Sequence, residues 1–276
     1  MNGRGARPAG RAFAVMGIVN VTPDSFSDGG RFLDAEAAVA HGLALAADGA
    51  AYLDVGGEST RPGAQAVGVD EELRRVVPVI ERLVEEGTPT TISIDTYKGA
   101  VAAAALRAGA TLVNDVTALR GSPEIAEAVA SSGAGLCLMH MLGDPRTMQQ
   151  DPHYDDVVSE VKAFLEERMR FAVAAGVPEE RIILDPGIGF GKTVAHNLEL
   201  LARLREIVEL GRPVLIGTSR KSFLGKLAGG RDVDERLPGT IATNVIAFER
   251  GASIFRVHDV APVLDALTVT AATVAA

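Results

Sequence analysis

The sequence is poor in cysteine and in aromatic residues. Its 276 residues include one cysteine and no tryptophan, and aromatic side chains make up 4%. One cysteine excludes an internal disulfide and is typical of a reducing compartment, so we expect a cytoplasmic protein in which Cys137 is a small core residue. Hydrophobic residues are 47% of the chain, and small aliphatic side chains do most of the filling, as in packed α/β proteins.

Positive charge and long apolar runs are also scarce. The chain has 27 Lys and Arg against 36 Asp and Glu, a formal net charge of −9, which argues against nucleic acid as the main partner. A local basic pocket for a small anion stays open. No run of about 18 apolar residues exists, so we expect no membrane-spanning segment. Residues 1–11 lack an apolar stretch, so we expect a disordered N-terminal tail there and not a secretory signal.

A repeated pattern of an amphipathic segment, a glycine and an apolar run extends along the chain. The glycines are Gly49, Gly87, Gly109, Gly133, Gly176, Gly211 and Gly251. Each predicts the end of a helix, followed by a short loop and a strand. Together with the apolar run at 13–19 they predict eight strands. Pro262 and the apolar residues after it predict an eighth helix.

The predicted strands are continuous apolar runs, which indicates burial on both faces and hence a parallel sheet covered by helices. Eight strands and eight helices in about 250 residues predict an α/β fold of the (β/α)8 TIM barrel type, formed by a single domain over residues 12–276. A doubly wound open sheet is the alternative, but the glycine-rich turn typical after its first strand is missing. The segment PGIGFGKT is not a P-loop, because Pro186 occupies the position of the first glycine.

Polar side chains follow every predicted strand, and in a barrel such side chains converge on one mouth. Asp95, Asn114 and Asp185 form an acid and amide side. These groups suit the N–H edge of a flat heterocycle, although a carboxylate metal site is an alternative.

The basic side of the predicted mouth follows strands seven and eight. Lys221 precedes a predicted helix, KSFLGKLAG, and Arg256 and His258 come with the last strand. Because a helix N-terminus carries partial positive charge, this combination predicts a phosphate or diphosphate site.

Eight motifs together resemble the dihydropteroate synthase family. They are MGIVNVTPDSFSDGG (16–30), DVGGESTRPGA (54–64), SIDT (93–96), NDV (114–116), MHM with PRTMQ (139–149), LDPGIGFGKT (184–193), GTSRKSFLG (217–225) and RVHD (256–259). The resemblance implies a transferase of folate biosynthesis, targeted by sulfonamides. Such an enzyme condenses 6-hydroxymethyl-7,8-dihydropterin diphosphate with 4-aminobenzoate to give 7,8-dihydropteroate and diphosphate.

The resemblance also implies roles for individual residues. The pterin would be bound by Asp95, Asn114, Asp185 and Lys221, and Phe190 would be a further substrate-binding residue. The diphosphate would be bound by Thr60, Arg61, Arg256 and His258. Asn20 would be the protein ligand of a Mg²⁺ ion, and Ser222 would meet the aminobenzoate carboxylate. The residues expected to act in catalysis are Phe26, Arg61, Asp95 and Lys221, with Phe26 on a first loop that closes over the reacting methylene.

Two other functions remain open. A related barrel transfers a methyl group from a methylated folate to a corrinoid, but should not need the STRPG (59–63) and SRKS (219–222) segments present here. A non-catalytic pterin-binding paralogue should have lost Lys221, Arg61 or the TPDSF stretch (22–26), and none is lost. The apolar character of 240–251 and 262–270, in outer helices of the barrel, predicts a homodimer, as does the resemblance.

Overall fold

Eight strands alternate with helices in the computed structural model, which describes residues 12–21, 31–59, 65–144 and 147–276, with only the backbone described at 31–34. The strands are β1 (Ala14–Asn20), β2 (Tyr52–Gly56), β3 (Thr91–Asp95), β4 (Leu112–Asp115), β5 (Gly135–Met139), β6 (Ile182–Asp185), β7 (Leu215–Ile216) and β8 (Ile254–Val257). The seven strands predicted from the glycine pattern and the strand predicted from the apolar run at 13–19 are all present. Residues 1–11, the expected tail, lie outside the described residues.

The described helices cover the outside of the strands. They are α1 (Arg31–Ala47), α2 (Val69–Glu85), α3 (Gly99–Arg107), α4 (Ile125–Ser132), α5 (Val157–Ala174), α6 (Val194–Ala202), α7 (Arg205–Val208), α8 (Ser222–Leu227), α9 (Leu237–Glu249) and α10 (Val260–Val274). The layer after β6 is divided between α6 and α7, and the layer after β7 between α8 and α9. None of these helices combines the length and apolar character needed to cross a bilayer.

The strands close into a barrel. Their order in the sheet is β6-β5-β4-β3-β2-β1-β8-β7, and all named pairs are parallel. A parallel bridge between Leu184 and Val214 joins β6 to the start of β7 and closes the ring. The (β/α)8 barrel is therefore confirmed, and the open doubly wound sheet is wrong.

The seven glycines that predicted helix ends all have positive φ, from +66° at Gly87 to +111° at Gly109. Gly133, which follows α4, has a φ of +70°, and its N–H donates to the carbonyl of Val129. Left-handed backbone is nearly free of strain for glycine and costly for other residues, so the helix can end and the chain can turn back into the next strand.

The interior of the barrel changes from apolar to polar along the strands. The apolar layer contains Tyr52, Leu112, Ile183 and Ile254, together with fully buried Cys137. Two positions further along the same four strands the sequence carries Asp54, Asn114, Asp185 and Arg256. Because side chains two apart in a strand point to the same face, the polar set lies directly above the apolar layer. The expected core position of Cys137 is thus confirmed.

Candidate active site

The carboxyl ends of four neighbouring strands form one polar row. In the strand register Asn20 pairs with Gly56, Gly56 with Asp95, and Asp95 with Asn114. The row therefore places the predicted Asn20, Asp95 and Asn114 at the same height on β1, β3 and β4, with Gly56 of β2 between the first two. The sequence predicts these residues at strand ends, and the parallel register adds which of them lie side by side.

Arg256 on β8 reaches across the barrel to two carboxylates. Its Nε donates to Asp54 Oδ2 at 2.6 Å, and its Nη2 donates to Asp95 Oδ2 at 2.7 Å. Asn114 Nδ2 donates to the same Asp54 oxygen at 3.0 Å. Residues expected to bind the pterin and the diphosphate are thus joined in one network. Its hub is Asp54, a fully buried residue to which the sequence analysis gave no role.

Burial perturbs the charged groups of this network. It raises the pKa of Asp95 to about 7; the positive charge of Arg256 opposes the shift, and the negative charge of Asp54 adds to it. Burial alone would lower the pKa of Arg256, but the charges of Asp54 and Asp95 outweigh it and raise that pKa. Burial likewise raises the pKa of Asp185. Strongly perturbed groups gathered in one place are typical of functional sites.

A second group of predicted residues lies at the ends of β6 and β7. Asp185 Oδ1 accepts a hydrogen bond from the N–H of Gly187 at 2.7 Å. Lys221 Nζ donates to the carbonyl of Ile188 and lies 4.3 Å from the ring centroid of Phe190. Burial lowers the pKa of Lys221 to about 7, against the opposing charge of Asp185. Lys221 also precedes α8, as predicted, and Ser222 is the exposed first residue of that helix.

The ends of β7 and β8 are held together beside this group. His258 Nδ1 lies 2.9 Å from Ser219 Oγ, and the backbone N–H of His258 donates to the same oxygen at 3.1 Å. Ser219 Oγ accepts the backbone N–H, and its hydroxyl can donate to Nδ1 in the His258 tautomer that carries its proton on Nε2.

Apolar side chains form a patch beside the polar groups. Val116, Met139, Met141 and Met148 pack together after β4 and β5, with Phe190 and Tyr97 against them. Methionine and aromatic side chains adapt well to the faces of a flat ring. Together with the acid and amide groups, the patch gives the site a surface suited to a heterocycle.

Lys192 lies in the loop between β6 and α6, yet its side chain is only 3% exposed. Its Nζ lies 2.9 Å from His140 Nδ1 and donates to the carbonyl of Phe190 at 3.0 Å. Burial lowers the pKa of Lys192 well below its ordinary value, and it lowers the pKa of His140 to about 2. The Lys192–His140 pair therefore holds the loop that carries Phe190 in place. No local sequence pattern predicted this pair.

The remaining predicted residues Phe26, Thr60 and Arg61 lie outside the described residues. Among the residues that the structure describes, no group of three or more His, Cys, Asp or Glu residues is placed to hold a metal ion. At the alternative metal site drawn from the sequence, Asp95 pairs with Arg256 and Asn114 turns its NH₂ group to Asp54.

Comparison with known proteins gives this site a family. A family model described as "Pterin binding enzyme" matches residues 16–258. The dihydropteroate synthase of Escherichia coli (strain K12) is 47% identical over 262 residues, which cover 95% of this chain and 92% of that protein. The chain belongs to the dihydropteroate synthase family.

Solved dihydropteroate synthase structures have the same fold. The Xanthomonas albilineans enzyme with 4-aminobenzoic acid has a TM-score of 0.89 and 55% identity, and the match covers 95% of this chain and 93% of that one. The same organism's enzyme in complex with 7,8-dihydropteroate has a TM-score of 0.86 and 51% identity, over 95% and 94% of the two chains. The residues of this chain that match the family model, 16–258, begin in β1 and end just after β8. They therefore include the carboxyl end of every strand at the mouth of the barrel.

Proposed function

We propose that this chain is active as a dihydropteroate synthase, joining 4-aminobenzoate to 6-hydroxymethyl-7,8-dihydropterin diphosphate with release of diphosphate. The observation that carries the proposal is the 2.7 Å contact between Arg256 and Asp95. It puts a cation suited to a phosphate beside a carboxylate suited to a heterocyclic N–H group. A substrate with a diphosphate one carbon away from a pterin ring needs these two kinds of group side by side.

In this proposal Asp95, Asn114 and Asp185 bind the polar edge of the pterin. Lys221 and Phe190 lie against its ring. Buried carboxylates and an amide oxygen accept N–H bonds well, since hydrogen bonds to charged groups are about twice as strong as neutral ones. The apolar patch around Met139 excludes water from the ring face.

Arg256 and His258 bind the diphosphate. Arg256 offers a planar fork of N–H donors, which matches phosphate oxygens, and His258 adds a ring N–H. A Mg²⁺ ion fits the donor chemistry at Asn20, because Mg²⁺ keeps most of its waters and accepts a single amide oxygen together with substrate phosphates. When bound, the ion would neutralise part of the charge on the leaving diphosphate.

The reaction breaks the bond between the pterin methylene carbon and a diphosphate oxygen, and diphosphate leaves with that electron pair. The arylamine nitrogen of 4-aminobenzoate then forms a bond to the same carbon and loses one proton to solvent. Asp95 and Asp185 stabilise the positive charge that develops on the pterin methylene. The arylamine is unprotonated near pH 7, so no strong general base is needed.

Other assignments rest on the resemblance. Ser222, exposed at the first position of α8, would meet the aminobenzoate carboxylate. Thr60 and Arg61 would assist with the diphosphate, and Phe26 would cover the reacting carbon. We also assign the chain to the cytoplasm, and residues 12–276 to one pterin-binding domain.

A homodimer completes the proposal. Ile246 on α9, and Val269 and Val274 on α10, are exposed apolar residues, and α9 packs against α10. A second copy would cover these side chains. Light scattering at micromolar concentration should give twice the mass of the chain, and a monomer mass would remove this part of the proposal alone.

The test is diphosphate release from purified protein given Mg²⁺, the pterin diphosphate and 4-aminobenzoate. We expect release that requires both substrates. Asp185→Asn should weaken it, because one acceptor oxygen becomes an NH₂ group and the negative charge is lost. The loss should be about 2–3 kcal/mol in pterin affinity. Methyl transfer from a methylated folate to a corrinoid would instead favour the related methyltransferase. Pterin binding without turnover would favour the non-catalytic paralogue.

A further inference from the structure

Asp54 contacts residues from both halves of the proposed site. It lies in the middle of β2, is fully buried, and its Oδ2 accepts from Arg256 Nε at 2.6 Å and from Asn114 Nδ2 at 3.0 Å. One oxygen atom therefore holds a residue proposed to bind the diphosphate and a residue proposed to bind the pterin. A buried carboxylate is costly unless it is paired, and here the pairing is supplied by site residues.

The contact between Asp54 and Asn114 determines which end of the Asn114 amide faces a ligand. The Asp54 oxygen that pairs with the Arg256 cation acts as a hydrogen-bond acceptor, so the amide turns its NH₂ group to it. The carbonyl oxygen of Asn114 then points elsewhere. That Oδ1 atom is buried and has no hydrogen-bond partner among the residues that the structure describes. Asp54 thus selects one of two amide orientations, the one in which Asn114 can accept an N–H from a bound ring.

The contact between Asp54 and Arg256 Nε anchors the arginine side chain. In the described arrangement Arg256 is divided between Asp54, through Nε, and Asp95, through Nη2. A pterin N–H that binds Asp95 competes with Nη2 for that carboxylate. The Nε contact lies at the base of the guanidinium and does not compete, so Arg256 stays attached while its outer N–H groups turn to a diphosphate.

We propose that Asp54 is a positioning residue for both substrate subsites, fixing the Asn114 amide as an acceptor toward the pterin and anchoring Arg256 for the diphosphate. The identity of the two ligands rests on the proposed function. The consequence is that one substitution at a residue that need not touch either substrate weakens both.

The test uses Asp54→Asn, which keeps the shape of the side chain and removes its charge. Calorimetry with two separate probes, 6-hydroxymethylpterin without phosphate and inorganic diphosphate with Mg²⁺, reports each subsite alone. We expect both dissociation constants to rise by about tenfold, the scale of one charge-assisted hydrogen bond. In an Asn114→Ala background the effect of Asp54→Asn on the pterin probe should vanish while its effect on diphosphate remains.

Asp115→Asn is the matched control. Asp115 is equally buried and follows Asn114 directly, but its carboxylate accepts from Thr117 and from the N–H of Leu119. This variant should lower thermal stability and leave both dissociation constants within about twofold of wild type. If Asp115→Asn reproduces both losses, they report the removal of any buried charge, and the inference is overturned.

A second measurement covers the case in which Asp54→Asn does not fold. In ¹⁵N-labelled wild-type protein the side-chain NH₂ proton of Asn114 that faces Asp54 should exchange slowly with solvent both without and with pterin, because the NH₂ group stays on Asp54 while the carbonyl oxygen meets the ligand. Fast exchange of that proton would contradict the assignment. Wild-type protein that binds neither probe overturns the proposed function and this inference with it. Binding of both probes by wild type and equally by Asp54→Asn overturns only the inference.

Discussion

The guanidinium of Arg220 forms two hydrogen bonds with the carboxylate of Asp259, at 2.6 and 3.0 Å, and so ties the loop after β7 to the loop after β8. Arg220 also has a φ of +57°, a conformation that is costly for a residue with a side chain. Its backbone N–H donates to Thr240, and its carbonyl accepts from Arg236. The strained residue is thus fixed at its backbone and at its side chain, directly before Lys221.

Comparing Arg220→Gly with Arg220→Ala separates these two features. Both variants lose the pair with Asp259, but only alanine keeps the backbone strain, so Arg220→Ala should be less stable than Arg220→Gly by about 1 kcal/mol. Both Arg220 variants should lower turnover, because the residue before Lys221 is then no longer anchored to Asp259. Asp259→Asn breaks the same pair and should also lower turnover. Urea unfolding and steady-state rates check this. Equal stability of the two Arg220 variants would show that the φ angle carries no strain.

Gly189→Ala should damage the pterin site by displacing Lys221. A Cβ atom at position 189 would lie 2.8 Å from Lys221 Cδ, and φ there is +84°. Gly211→Ala is the matched control, since φ is +79° and a Cβ atom would meet nothing within 4 Å. Both variants pay about 1 kcal/mol of left-handed strain. Thermal melting should therefore show similar losses, whereas pterin affinity by calorimetry should fall only for Gly189→Ala.

The salt bridges of Lys98 predict a large loss of stability on substitution. Lys98 pairs with Glu58 and Glu72 close to the site, and these side chains are 14%, 10% and 1% exposed. Lys98→Met leaves two buried carboxylates without their cation and should cost about 3 kcal/mol or more. Arg203, paired with three half-exposed carboxylates, is the control. Arg203→Met should cost much less, because water screens exposed pairs; similar losses in urea unfolding would contradict this account.

Pterin affinity should depend on pH with a maximum near 7. Asp95, whose pKa burial raises to about 7, accepts N–H bonds more strongly when it is deprotonated, so affinity should rise as pH rises toward 7. Lys221, whose pKa burial lowers to about 7, loses its charge above that pH, so affinity should fall on the alkaline side. Calorimetry from pH 5.5 to 8.5 checks both limbs. Asp95→Asn should flatten the acid limb, leaving only the part that Asp185 contributes, and keep the alkaline one; a flat wild-type profile would refute both assignments.

Much of this architecture could be predicted from the sequence because its signals are local. A glycine that ends a helix and a continuous apolar strand are each encoded within about ten residues, and all eight strands were found in this way. The polar row could also be anticipated, since carboxyl ends of parallel strands share one rim.

What the sequence did not reveal depends on contacts between distant residues and on burial. Arg256 and Asp54 are 202 positions apart, and their contact follows from barrel closure. The burial of Lys192 depends on how the loop after β6 packs against β5. The left-handed backbone of Arg220 is stabilised by Thr240, 20 positions further on, and by Arg236, 16 positions further on. No local pattern reports any of these.

The shortness of β7 has a consequence for local opening of the barrel. β7 has two residues, and β6 reaches this part of the sheet through the bridge between Leu184 and Val214. Short strand pairings open more readily than long ones, so amide hydrogen exchange should be faster where β6 pairs with β7 than between β1 and β2. Asp185 ends β6, and Lys221 follows β7. A pterin that binds both residues would link the two strands, so its binding should slow amide exchange in β6 and β7 more than elsewhere in the barrel.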